Sequence, residues 1–236
     1  RGDRCRAPGT PGAHRLAGAE AAVSLRIPGY LGTFWELLSD HLVMALGASF
    51  LGLLVALPLG LVCVRWPRSY PPVLAVSSVL YSIPSLAFFV LLIAFTGISR
   101  TTVILPLAVY ALAGLIPNVV DGLRGIPDSV RQSAIAMGFS GPRRLLTVDL
   151  PIALPAVIAG LRVAVVANIS MVSVGALIGM GAFGSLFTAS VQLDRLDLAL
   201  VGIAVIVVMA LVADAVLVLV QWLVTPWLHR SAGATR

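Results

Sequence analysis

The 236-residue sequence contains no lysine, and all sixteen of its Lys/Arg positions are arginine. A phosphate loop of the form GxxxxGK[ST] needs that lysine to reach the terminal phosphates of a nucleotide, so this chain cannot supply such a site. Charge of any kind is scarce. Only 11% of residues are Asp, Glu, Lys or Arg, where a soluble domain carries about 25%. Cysteine is scarcer still: Cys5 and Cys63 lie far apart and form neither a metal-ligand spacing nor a disulfide framework. Three histidines and ten carboxylates do not cluster along the chain. They indicate no metal centre, no acid/base pair and no nucleophile with a partner base, so no catalytic residue is assigned.

What the sequence does have is apolar length. Hydrophobic residues make up 59% of the chain and mean hydropathy is +1.02. Leu42 to Val64 and Val73 to Phe95 are each 23 residues without an ionisable carboxylate, Arg or His. At about 1.5 Å of rise per residue, either run can cross a hydrocarbon core of about 30 Å. The expected architecture is an all-α membrane protein with about five spans, at 42–64, 73–95, 101–120, 152–180 and 198–225. Residues 1–29 are rich in Gly, Pro, Ala and Arg and are interrupted by Glu20, so they lack the apolar core of a signal peptide. They read as a flexible or misassigned tail, with 30–230 as the membrane domain and 231–236 as a short cytoplasmic tail.

The net charge of +6 follows the topology. With the tail at 1–29 left out, one set of loops holds Arg65, Arg68, Arg124, Arg131, Arg143, Arg144, Arg230 and Arg236, and the other holds Arg100 and Arg195; the tail's Arg1, Arg4, Arg6, Arg15 and Arg26 would raise the second set from two to seven. The positive-inside rule puts the first set in the cytoplasm, with the N-terminus outside and the C-terminus inside. No basic stripe interleaved with exposed aromatics points to nucleic acid. Trp35, Trp66, Trp222 and Trp227 fall at span ends, where an amphipathic ring prefers the headgroup layer. Pro58, Pro84, Pro106 and Pro117 fall within spans, which a helical bundle tolerates because neighbours satisfy the freed carbonyls.

The loop at 121–150 is too patterned to be a connector. Pro127 suits a first helical turn, and Ser129 with Gln132 has the spacing of a capping box. Ser133, Ala134 and Met137 continue a short helix with a small-residue face, and Gly138 can end it in a left-handed cap. Such a face lets another protein approach closely, and the unbranched Met137 can fill an irregular pocket.

The run QSAIAMGFSGPRRLLTVDLP resembles the loop signature of binding-protein-dependent ABC importer permeases: EAA, three residues, G, nine residues, I-x-LP. Gln132, Ser133 and Ala134 stand at the EAA positions, Gly138 at the glycine, Val148 at the isoleucine, and Leu150 with Pro151 at the final LP. From His41 onward the chain is further similar to osmoprotectant permeases for glycine betaine, carnitine, choline or proline. The shared stretches are ALPLG at 56–60, YSIPSLA at 81–87, LPAVIAGLRVAVV at 154–166 and IGMGAFG at 178–184. Relatives more often read GGLG where this chain has Gly181, Ala182, Phe183 and Gly184. The resemblance implies a type I ABC importer permease fold in a bacterial cytoplasmic membrane, with the 129–138 segment as a cytoplasmic coupling helix. It implies separate ATPase subunits carrying ATP and Mg, an extracellular or periplasmic substrate-binding protein, and a second permease subunit, identical or paralogous. A methionine-type amino-acid permease shares the same loop signature. A stand-alone secondary transporter or channel is the alternative of another class.

Two further groups stand out. Gly179, Gly181 and Gly184 punctuate the outer end of the fourth span and are candidate gate or pathway residues, and Gly175 with Gly179 has small-xxx-small spacing. Arg162 and Asp214 are the only charges deep within expected spans. Lying at matching depth, they are expected to pair, since an intramembrane charge is costly alone.

Overall fold

The computed structural model describes residues 27–227, with side chains from Thr33 onward. The expected tails at 1–29 and 231–236 therefore lie outside the described residues, except that residues 27–29 open the first helix. Two compact units divide the chain after Leu37. Within the described part of the first, the rings of Phe34 and Trp35 meet edge-on at 6.1 Å.

The helices are α1 (Ile27–Arg65), α2 (Tyr70–Ser82), α3 (Ser85–Thr96), α4 (Arg100–Arg124), α5 (Asp128–Ala136), α6 (Gly141–Arg144), α7 (Leu150–Val172), α8 (Ser185–Leu193) and α9 (Leu196–Val224). Four are long and apolar enough to cross a membrane, and a fifth crossing results if the α2–α3 pair counts as one bent span. Here the expected uninterrupted span at 73–95 is corrected: the chain turns through 91° between its halves. Proline disfavours helical geometry in the residue before it, and Ile83 is extended, with φ −66° and ψ 128°. Pro58, Pro106 and Pro117 instead sit inside continuous helices.

The fourth expected span is also corrected. It is α-helical only to Val172, tightens to a 3₁₀ turn over Ser173–Ile178, and reverses at Gly179. The chain then re-enters a helix, α8, that was expected as a connecting loop. At the other end, a π-helical turn over Leu145–Asp149 leads into α7. There the Leu150 amide bonds the Leu145 carbonyl five residues back, immediately before Pro151, which has no amide hydrogen to donate.

α4 is the centre of the bundle. Over its most apolar stretch 56% of residues are buried, against 11% for α9. One core cluster joins Ala56 and Cys63 of α1, Leu115, Ile116 and Val120 of α4, and Ala164 of α7. A second joins Val119, Leu123 and Ile126 to Ala153 and Val157. Close backbone approach makes both possible: a Cβ on Gly60 would lie 2.4 Å from Val119 Cγ1, and one on Gly160 would lie 2.6 Å from Asn118 Cβ.

Candidate functional site

α5 stands where the sequence places a coupling helix, but it is built differently at its start. The expected Ser129–Gln132 capping box does not form. Helix begins two residues earlier than that box requires, at Asp128 behind the cap residue Pro127, and no side chain caps it. Ser129 is therefore already inside the first turn, with Asp128 supplying negative charge at the positive helix end. The C-terminal end is as expected: Gly138 adopts φ +79°. The Phe139 amide reaches the Ala134 carbonyl at 3.1 Å and the Gly138 amide the Ile135 carbonyl at 2.9 Å, the two bonds of a Schellman cap.

The orientation of α5 divides its residues. Ala134 is only 1% exposed and so faces the chain's own interior. Val130, one turn earlier on the same face, packs with Leu150 on the cluster containing Val119 and Leu123. Arg131 fastens the helix further by donating to the Leu123 carbonyl in the last turn of α4. The face left open carries Gln132, Ser133, Ile135, Ala136 and Met137. Ala134, expected on the partner-facing side of the helix, is thus turned inward, whereas Met137, expected there too, is 68% exposed and its neighbour Ile135 57%.

Beneath α5, Arg65, Arg131, Arg144 and Asp149 line a groove of about 460 Å³. Arg144 Nε donates to Asp149 Oδ2 at 3.3 Å. Arg124 lies 4.9 Å from the ring centre of Tyr70, so the α1–α2 turn and the end of α4 share one face, as the arginine distribution requires.

Toward the opposite end, the three candidate gate glycines form a tight knot. The Met180 amide bonds the Gly175 carbonyl at 2.8 Å, and the Gly184 amide bonds Gly181 at 2.6 Å. A Cβ on Gly181 would fall 2.1 Å from the Ala176 nitrogen, and one on Gly184 2.2 Å from the Ser173 oxygen. Gly179 has open space but φ +81°. Gly175 and Gly179 therefore shape a turn and do not form a small-xxx-small helix contact. Phe183 is buried beside His41, ring centres 5.9 Å apart. Nε2 of His41 donates to the Ile169 carbonyl at 2.7 Å. The Ser173 amide turns to the Met171 and Ser170 carbonyls and not to Ile169, four residues before it.

Arg162 and Asp214 meet within one subunit. Nε and Nη2 of Arg162 donate to the two carboxylate oxygens at 2.7 and 2.8 Å, the forked geometry that favours arginine over lysine at such pairs. The pair ties α7 to α9, and each side chain remains about one third exposed.

Sequence reasoning missed one feature. A cleft of about 300 Å³ opens between α2, α4 and α7, with Tyr81, Tyr110, Asn168 and Met171 on its walls. Its signal was the YSIP break itself, since irregular backbone at membrane depth persists where it lines a cavity. Tyr110 donates its hydroxyl to the Ile83 carbonyl at 2.7 Å, capping the end that Pro84 leaves open.

Comparison with known proteins agrees with this geometry. Residues 42–230 match the family model described as binding-protein-dependent transport system inner membrane component. The carnitine transport permease protein OpuCB of Listeria monocytogenes is 32% identical over 82% of this chain and 88% of its own. The osmoprotectant import permease protein OsmW of Salmonella typhimurium is 32% identical over 84% of this chain and 93% of its own. Among solved structures, an inward-facing MetNI methionine ABC transporter superposes with a TM-score of 0.65 at 20% identity, covering 80% of this chain and 96% of that one.

Proposed function

The chain belongs to the family of binding-protein-dependent transport system inner membrane components, and from that premise we propose that it is the permease subunit of an ATP-driven importer of osmoprotectants such as glycine betaine, carnitine or choline. The observation that carries the substrate class is the likeness, over more than four fifths of the chain, to relatives named for those solutes. The fold likeness to a methionine transporter, at 20% identity, carries no substrate.

In this reading two permease subunits, identical or paralogous, surround the path. ATP and Mg²⁺ belong to cytoplasmic ATPase partners, since a chain without lysine has no phosphate-loop site of its own. The exposed face of α5 is the contact with that partner. A separate binding protein delivers substrate at the outer end, where the N-terminus also lies. The gathering of Arg65, Arg131 and Arg144 in one groove at the arginine-rich end supports this orientation by the positive-inside rule.

The test uses the complete transporter, with ATPase and binding protein, in sealed proteoliposomes. Glycine betaine uptake should require ATP on the ATPase side and persist when the proton gradient is collapsed. Uptake without ATP would overturn the importer reading. ATP-dependent uptake of methionine with none of glycine betaine, carnitine or choline would overturn the substrate class.

A further inference from the structure

We propose that the cleft between α2, α4 and α7 is a weak, transient binding site for a quaternary ammonium group within the membrane domain itself. Substrate would pause there between the binding protein and the cytoplasm. The proposal rests on the osmoprotectant reading above for its physiological ligand, but not for its geometry.

The walls are aromatic where they are rigid. Tyr110 is 4% exposed, and its hydroxyl is committed to the Ile83 carbonyl at 2.7 Å. Its ring is clasped edge-on by Tyr81 at 5.7 Å and by Phe88 at 5.8 Å. Tyr81 is half exposed and offers its ring to the cleft. A tetraalkylammonium cation cannot donate hydrogen bonds, so it is recognised chiefly by the electron-rich faces of such rings. Apart from Val163, Asn168 and Met171, the remaining wall is small: four alanines and Gly114 leave the space open. A volume of about 300 Å³ is at the lower limit of ligand sites, which suits a small solute.

Polar groups are few and neutral. Asn168 donates its amide NH₂ to the Ser49 hydroxyl at 2.8 Å, which leaves its amide oxygen as an acceptor. No Asp, Glu, Arg or His is on the wall. Arg162, next in sequence to the wall residue Val163, would repel a cation, but Asp214 neutralises it. A carboxylate in the cleft would hold the cation against release. Rings without an ion pair bind it well enough to enter and weakly enough to leave, as conduction requires.

The experiment has two arms on the full permease–ATPase complex in lipid nanodiscs or proteoliposomes. The first omits the binding protein and measures tetramethylammonium binding by saturation-transfer NMR. Binding should be seen in the parent, retained in Tyr81→Phe, and reduced roughly 3- to 30-fold in Tyr81→Leu, the range that cation–π energies give. The second adds the binding protein and measures glycine betaine uptake, where kcat/KM should follow the same order. No tetramethylammonium binding to the parent overturns the site, whether or not the variants fold. Equal binding by Tyr81→Leu and parent also overturns it. Tetramethylammonium binding without uptake of any quaternary ammonium compound would leave the site standing and refute the osmoprotectant reading instead.

Discussion

Ala182 sits in the left-handed region at φ +44°, inside the glycine knot. An L-residue there costs about 1–2 kcal/mol relative to the right-handed region. Replacing it with glycine relieves that strain but loosens the unfolded chain, a loss of about 0.4–1 kcal/mol. The net for Ala182→Gly is a gain of about 1 kcal/mol, which in a chain of this size raises the melting midpoint by roughly 2–4 °C. Gly181→Ala runs the other way. Its Cβ would fall 2.1 Å from the Ala176 nitrogen and 2.3 Å from the Ala176 Cα, where carbon contacts settle near 3.5–4.0 Å. Backbone cannot yield as a flexible side chain can, so the loss is at least the roughly 1–3 kcal/mol of ordinary overpacking. The assay is the thermal midpoint of the detergent-solubilised permease–ATPase complex, followed by size-exclusion chromatography, with membrane abundance measured alongside. A midpoint for Ala182→Gly at or below the parent's would refute the strain. Normal abundance and midpoint for Gly181→Ala, combined with lost uptake, would show a moving hinge where the structure shows a fixed turn.

Ile135→Asp or Met137→Asp, on the open face of α5, should abolish co-purification of the ATPase at normal membrane abundance, whereas Ala134→Arg should lower abundance because Ala134 is buried; an ATPase retained by both aspartate variants would move the docking surface elsewhere. Arg162→Gln and Asp214→Asn should each reduce abundance or uptake, and the exchange Arg162→Asp with Asp214→Arg should recover part of the loss; strict additivity in the double variant would deny the coupling. Gly60→Leu should cut the yield of folded protein, since its Cβ alone meets Val119 at 2.4 Å, while Gly47→Ala should be tolerated, its nearest neighbour being Ile104 at 3.7 Å. Equal yields for the two would mean that α1 and α4 do not approach as closely as described.

Hydropathy alone was enough to place the membrane segments around 42–64, 101–120 and 198–225, because partition into hydrocarbon depends on composition along a run and little on neighbours. The C-terminal end of α5 was legible for a similar reason: a left-handed cap is a local backbone event that Gly138 permits by itself. Arg162 and Asp214 were legible as a pair because two isolated charges at one depth have few other ways to be satisfied. The rest needed the tertiary structure. Five prolines within expected spans read alike in one dimension, yet Pro84 breaks its helix while Pro58, Pro106, Pro117 and Pro155 do not: only the packing shows that at Pro84 the Tyr110 hydroxyl takes up the Ile83 carbonyl. Ser129 and Gln132 had the spacing of a cap, yet the helix begins two residues too early for them to use it. Ala134 stood within the loop signature, and its burial depends on how α5 lies against α4 and α7, which no local pattern encodes. The aromatic cleft joins residues from three helices separated by up to about ninety positions, and such a site exists only once those helices have met.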